Sequence, residues 1–157
     1  MKIIGKPTIN PFFFYSGKIS SYLTWVYLIL SLVNCFDLSI VSLPIAKNAA
    51  FVILLSGLLF SILSMFNLGK STSLGLPEEK TVLKKSGLYK ISRNPMYIGF
   101  NLLTISSIIY TGNLYILLLG LYSIIIYHLI IVNEEKFLES RFGAEYSEYK
   151  AEVRRYL

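Results

Sequence analysis

Arg93, Asn94 and Tyr97 sit within one short basic stretch, and Glu134 and Glu135 stand side by side beyond the uncharged tract that follows it. These residue types suit a ligand that carries both charges. Asn94-Pro95 reads as a helix start, because asparagine is a favoured N-cap and proline at the first helical position needs no N–H partner. The amides of such a helix start attract a carboxylate or phosphate, and Arg93 stands beside them. Glutamates suit an amine, a cation or ribose hydroxyls. The residues therefore specify a polar site for a zwitterionic or nucleotide-like ligand, and by themselves no more than that. One histidine (His128) and one cysteine (Cys35) leave no Ser-His-Asp set and no structural zinc site, and no glycine-rich phosphate loop is present. No metal is expected.

The elements that must hold these side chains are apolar. The 157 residues are 54% hydrophobic with a mean hydropathy of +0.59, too apolar for an ordinary soluble domain of this size. No charged residue occurs between Lys47 and Lys70, or between Arg93 and Glu134. Helices rising ~1.5 Å per residue over such tracts cross a hydrocarbon core of roughly 30 Å. The fold class expected is an all-α integral membrane protein with about four transmembrane helices, a cytoplasmic-face loop and a C-terminal helical tail. The spans are read at residues 20–43, 49–68, 95–110 and 114–133, with a turn at 44–48 and a tight break at Thr111-Gly112-Asn113. Residues 1–18 read as a leader whose Phe12 to Tyr15 cluster anchors at the headgroup level. Asn34 and Asp37 sit in the second half of the first span, where Asp37 is tolerable only near an interface. Gly57, Ser56, Ser61 and Ser64 equip the second span for close helix contact. The fourth helix should run on through Glu134 and Glu135, and a tail at 144–156 follows the Phe142-Gly143 break.

The leader, the 69–94 connection and the tail carry three, six and five Lys or Arg; the two opposite turns carry Lys47 and none. Both termini and the site are therefore expected on the cytoplasmic face. The net charge of +6 belongs to the flanks of apolar spans, so the expected partner is the lipid bilayer and not nucleic acid. Because spans three and four are joined by a short turn, Arg93–Tyr97 and Glu134–Glu135 should be neighbours. Taken singly, each has a plainer reading. Arg93 can snorkel to headgroups, the glutamates can mark a solvated helix exit beside Lys136 or Arg141, Tyr89 and Tyr97 can be belt aromatics, and His128 can bond a neighbouring helix.

The blocks Leu83-Lys84-Lys85-Ser86-Gly87-Leu88-Tyr89, Arg93-Asn94-Pro95-Met96-Tyr97-Ile98-Gly99, Glu134-Glu135, Phe142-Gly143 and Tyr146-Ser147-Glu148-Tyr149 occur in this order. The set resembles the isoprenylcysteine carboxyl methyltransferase and phospholipid methyltransferase superfamily over about residues 67–157. The resemblance implies one membrane domain, with residues 1–66 as leader and first two spans and 67–157 as the cofactor-binding region. It implies S-adenosyl-L-methionine as cofactor and a lipophilic acceptor, a carboxylate or an amine. Thr81, Val82, Leu83, Lys84 and Tyr89 would line the cofactor, Asn94, Pro95, Met96 and Tyr97 would contact it, and Glu134, with Glu135 beside it, would bind it from the fourth span. Arg93 would complete the carboxylate site or hold the loop in shape, and Arg93 and Glu134 are the expected catalytic pair. Two departures stand out. Asn94 replaces a histidine common in the prenylcysteine enzymes, and Ile130 replaces their substrate-associated arginine, which argues against a prenylcysteine acceptor.

Two other classes compete. A membrane reductase with a nicotinamide cofactor shares a similar C-terminal helical region, although this chain is short for one. A four-helix transporter or adaptor would need an intramembrane carboxylate, for which Asp37 is the candidate. Neither the acceptor nor the oligomeric state is specified by the residues.

Overall fold

A computed structural model describes residues 7–35, 44–69 and 82–157. Asp37 and Thr81 lie outside the described residues, as do residues 36–43 of the expected first span and 70–80 of the basic connection. No strand occurs among the described residues. The helices are α1 (Pro11–Leu32), α2 (Pro44–Leu68), α3 (Pro95–Thr111), α4 (Leu114–Phe142) and α5 (Ala144–Glu152), and a 3₁₀ turn at Gly87–Lys90 precedes α3.

Three helices start on a proline, at Pro11, Pro44 and Pro95, where the fixed φ favours helix and the missing N–H is harmless. This corrects two expectations. The first helix begins inside the expected leader, its Asn10 side chain accepting from the Phe12 amide at 2.9 Å. Residues 44–48 are not a turn but the first turn of α2. Phe14, expected in the headgroup anchor, is fully buried, while Phe12, Phe13 and Tyr15 are exposed. The α3–α4 break falls where expected. Gly112 takes a φ of +52° and Asn113 caps α4, accepting from the Tyr115 amide at 2.9 Å. The tail helix ends at Glu152, short of the expected 156.

α2 is built inside out relative to a soluble helix. Its buried residues are Ala50, Gly57, Ser61 and Ser64, while Phe51, Val52, Leu55, Leu59 and Phe66 are exposed. An apolar exterior around a small-residue seam suits lipid. The seam meets α3 backbone to backbone. A Cβ added at Gly99 would lie 2.7 Å from the Ser61 amide nitrogen and 2.9 Å from the Gly57 carbonyl, and Ser106 Oγ donates to the Ala50 carbonyl at 2.7 Å. α1 joins α3 through Ser21–Thr104 at 3.2 Å and Trp25 Nε1 to Thr104 at 3.0 Å. It joins α4 by setting Gly17 against Ile126 and by Ser16–Tyr122 at 2.7 Å.

α2 and α4 are long and apolar enough to cross a membrane, at 25 and 29 residues with hydropathies of 2.4 and 2.3. α1 and α3 do not meet that standard. The 17 residues of α3 extend only about 25 Å, and α1 buries Lys18, Ser20, Ser21 and Thr24. Length and composition therefore support two of the four expected spans. Phe14, Tyr97, Tyr127, Ile130 and Ile131 share one buried cluster. This brings the starts of α1 and α3 to the end of the bundle where α4 turns polar.

Candidate functional site

At that end the connection into α3 is shaped before it carries chemistry. Gly87 takes a φ of +63°, and a Cβ there would collide with the Asn67 side chain, whose Oδ1 accepts from the Leu88 amide at 3.0 Å. The 3₁₀ turn buries Tyr89, and the Tyr89 carbonyl accepts from the Tyr149 hydroxyl at 2.6 Å. Ser92 Oγ accepts from the Asn94 amide and donates to the Arg155 carbonyl, both at 3.1 Å. The Arg93 amide donates to the Arg154 carbonyl at 2.9 Å. The C-terminal residues thus lie along residues 92–94 as a clasp.

Glu135 is the centre of that clasp. Arg93 donates to it through Nε and Nη2, each at 3.2 Å, and both side chains are nearly dry. Arg155 donates through Nε at 3.0 Å, and Asn94 Nδ2 donates to Oε1 at 3.0 Å. The rest of the Arg93 fork points back to the tail, with Nη1 donating to the Val153 carbonyl at 2.6 Å and the Lys150 carbonyl at 3.2 Å. A buried carboxylate so fully supplied with charged donors is the condition under which a buried ion pair is tolerated. The bond to Glu135 raises the Arg155 pKa above its ordinary value. Burial pushes the Tyr149 phenol up to about 12, opposed by Arg93 and reinforced by Glu135. Burial likewise raises Tyr89 and Tyr146, so these phenols stay neutral near pH 7.

Glu134 is placed differently from its neighbour. Tyr97 donates to Glu134 Oε1 at 2.9 Å, and Glu134 Oε2 accepts no hydrogen bond from the described residues. Tyr97 is itself held by rings, with centroids 5.6 Å from Tyr127 and 6.1 Å from Phe100. Asn94 occupies the cap position of α3 but makes no side-chain capping bond, because its amide is turned to Glu135 and to the Arg155 carbonyl. The sequence reading of Asn94 as a side-chain cap is corrected on that point. The first-turn amides of Met96 and Tyr97 therefore have neither an intrahelical acceptor nor a capping side chain.

The structure brings Arg93, Asn94, Pro95, Met96, Tyr97, Glu134 and Glu135 to one end of the bundle, with Tyr89 alongside through Tyr149. It does not join the others to them. Val82 is exposed, Leu83 and Lys84 are half-buried, and none of the three is hydrogen-bonded to the cluster; the adjacent Lys85 pairs with Glu145 at 3.2 Å. His128 meets Tyr156 at 2.7 Å, so its partner is the tail and not a neighbouring helix. Ile130 is fully buried. Sequence reasoning missed Asn67, Ser92 and Arg155. Arg154-Arg155 was legible only as positive charge on one face, and nothing in its spacing pointed to Glu135.

A family model described as phospholipid methyltransferase matches residues 45–145, well over half of the chain and including α2, α3, α4 and both glutamates. No curated protein and no solved structure matches the chain.

Proposed function

We propose that this chain, which belongs to the phospholipid methyltransferase family, uses S-adenosylmethionine to methylate a lipophilic acceptor at the cytoplasmic face of a membrane. Family membership implies methyl transfer to a lipid-type substrate. The single observation that carries the finer reading is the division of labour between two adjacent carboxylates. Glu135 is saturated by Arg93, Arg155 and Asn94, whereas Glu134 keeps one oxygen free beside Tyr97.

The residues present fit the cofactor. S-adenosylmethionine supplies, when bound, a methyl carbon activated by a sulfonium leaving group. The Glu134 Oε2 atom can accept from an amino group or ribose hydroxyls, and the uncapped amides of Met96 and Tyr97 suit a carboxylate. The Tyr97 ring offers an aromatic face for a cation. Arg93 and Glu135 act in this reading as positioning residues that fix the α3 start against α4. Tyr89 belongs to the loop they hold, and residues 81–84 lead into it. Alignment does most of the catalytic work: a nucleophile held near 3–3.5 Å from the reacting carbon gains much of the acceleration from orientation alone. A carboxylate acceptor needs no base, whereas an amine acceptor must lose a proton.

The wider topology is part of the proposal. α1 and α3 complete a four-helix membrane unit with α2 and α4, residues 1–157 act as one domain, and the lysine and arginine bias places both termini and the site in the cytoplasm. The first test is transfer of labelled methyl from S-adenosylmethionine into a membrane lipid extract by the purified protein. Incorporation above a protein-free control supports the reading; none, with the protein folded, contradicts it.

A further inference from the structure

Among the described residues, Asn67 is the only α2 side chain hydrogen-bonded to another element. It stands in the last turn of α2, and its amide is held at both ends. Nδ2 donates to the Leu63 carbonyl at 2.7 Å, one turn back in the same helix, and Oδ1 accepts from the Leu88 amide at 3.0 Å. The first bond fixes the amide plane, so the second has a set direction.

The Leu88 amide needs that acceptor. The amides of Tyr89, Ile91 and Ser92 find partners at the Ser86 and Leu88 carbonyls, whereas an amide at the start of a helical turn must look outside it. Gly87 completes the fit: its φ of +63° suits glycine, and a Cβ there would collide with the Asn67 side chain. From the other side the Tyr149 hydroxyl donates to the Tyr89 carbonyl at 2.6 Å. The turn is thus mounted at two consecutive residues, on α2 and on α5. The Tyr89 side chain it carries is buried and near enough to Glu134 to interact with it electrostatically. At the polar end of the bundle water could satisfy the Leu88 amide, so the bond to Asn67 adds little stability. What it adds is orientation.

We propose that Asn67 is a positioning residue for the cofactor site: from the end of α2 it sets the Gly87–Lys90 turn in the orientation that holds Tyr89 towards Glu134. This rests on the S-adenosylmethionine reading above. It deepens that reading by making the site depend on α2, a helix that supplies no cofactor contact there.

The test measures S-adenosylhomocysteine affinity of the full chain in non-ionic detergent, for wild type, Asn67→Ala, Asn67→Asp, Gly87→Ala and Ser106→Ala. Ser106→Ala removes a hydrogen bond at the far end of the α2–α3 seam and controls for loosening of that pair. Asn67→Ala should lose about fivefold in affinity, as one hydrogen bond allows. Asn67→Asp, which keeps the acceptor, should retain most of the affinity, and Ser106→Ala should bind as wild type does. Gly87→Ala disturbs the same contact without altering α2 and should lose at least as much as Asn67→Ala. Amide hydrogen exchange over residues 87–92 should be faster in Asn67→Ala than in wild type. Undiminished affinity in Asn67→Ala or Gly87→Ala, an equal loss in Ser106→Ala, or an Asn67→Asp as weak as Asn67→Ala overturns the proposal. So does unchanged exchange. Failure of folded wild type to bind S-adenosylhomocysteine contradicts the cofactor reading itself, and the exchange comparison then still decides whether Asn67 holds the turn.

Discussion

Arg93 and Glu135, on opposite sides of the α3–α4 hairpin, form a two-pronged ion pair with both side chains more than nine-tenths buried. The pair ties the start of α3 to α4, and Arg93 extends it to the C-terminal carbonyls of Lys150 and Val153. Because Glu135 is occupied in this way, Glu134 is the one of the two carboxylates with an oxygen that accepts no hydrogen bond from the described residues.

Removing one partner of that pair leaves a buried charge unsatisfied. Glu135→Ala should destabilise the protein by about 3 kcal/mol or more. Arg93→Lys should also lose stability, because an ammonium cannot reproduce the planar fork. Denaturation in detergent checks both, and wild-type stability in Glu135→Ala would contradict the clasp.

The tail should matter more through its backbone than through its charge. Deleting residues 154–157 removes the carbonyls that accept from the Arg93 amide, Ser92 and Asn94, together with the Arg155 side chain. Arg155→Ala removes only a partly exposed donor and should cost about 1 kcal/mol. The expected order of thermal midpoints is wild type, Arg155→Ala, then the truncation; equal midpoints for all three would contradict it.

These contacts also show where sequence reading stops. The Thr111-Gly112-Asn113 break was legible because turn and cap preferences are local, and the hairpin it forms placed Arg93–Tyr97 near Glu134–Glu135. Gly57, Ser61 and Ser64 announced a close seam by size alone. The clasp was not legible, because the Arg154 and Arg155 carbonyls have no side-chain signature and meet residues far away in the chain. Residues 1–18 read as a leader and 44–48 as a turn, whereas Pro11 and Pro44 each open a helix, as Pro95 does. Asn94 was read from cap preference, which Glu135 overrides by offering its amide a charged acceptor.

The α2–α3 seam leaves no room for a methyl group at Gly99, where a Cβ would press on Ser61 and the Gly57 carbonyl. Gly99→Ala should lower stability by about 1–3 kcal/mol. Gly120→Ala, where the neighbour is chiefly the flexible Ile108 side chain, should cost less. Thermal unfolding of the two variants in the same detergent tests the order.

The Tyr149 phenol gives a pH signature. Its pKa is raised by burial from an ordinary 10.0 to about 12, so folding favours the neutral form. The stability it contributes is complete below about pH 10 and is lost as pH rises towards about 12. Tyr149→Phe cannot ionise, so its stability should fall less steeply over that window, although it starts lower without the bond to the Tyr89 carbonyl. Stability against pH for both proteins, followed with tyrosinate absorbance, checks this; parallel curves would contradict it.

The most direct measurement of the central claim is calorimetric titration of the purified protein with S-adenosylmethionine, comparing wild type, Glu134→Gln, Tyr97→Ala and the exposed-site control Lys136→Ala. Wild type and Lys136→Ala should bind alike, and Glu134→Gln and Tyr97→Ala should each lose about tenfold or more in affinity. Undiminished binding in Glu134→Gln, or no binding by folded wild type, would contradict the account.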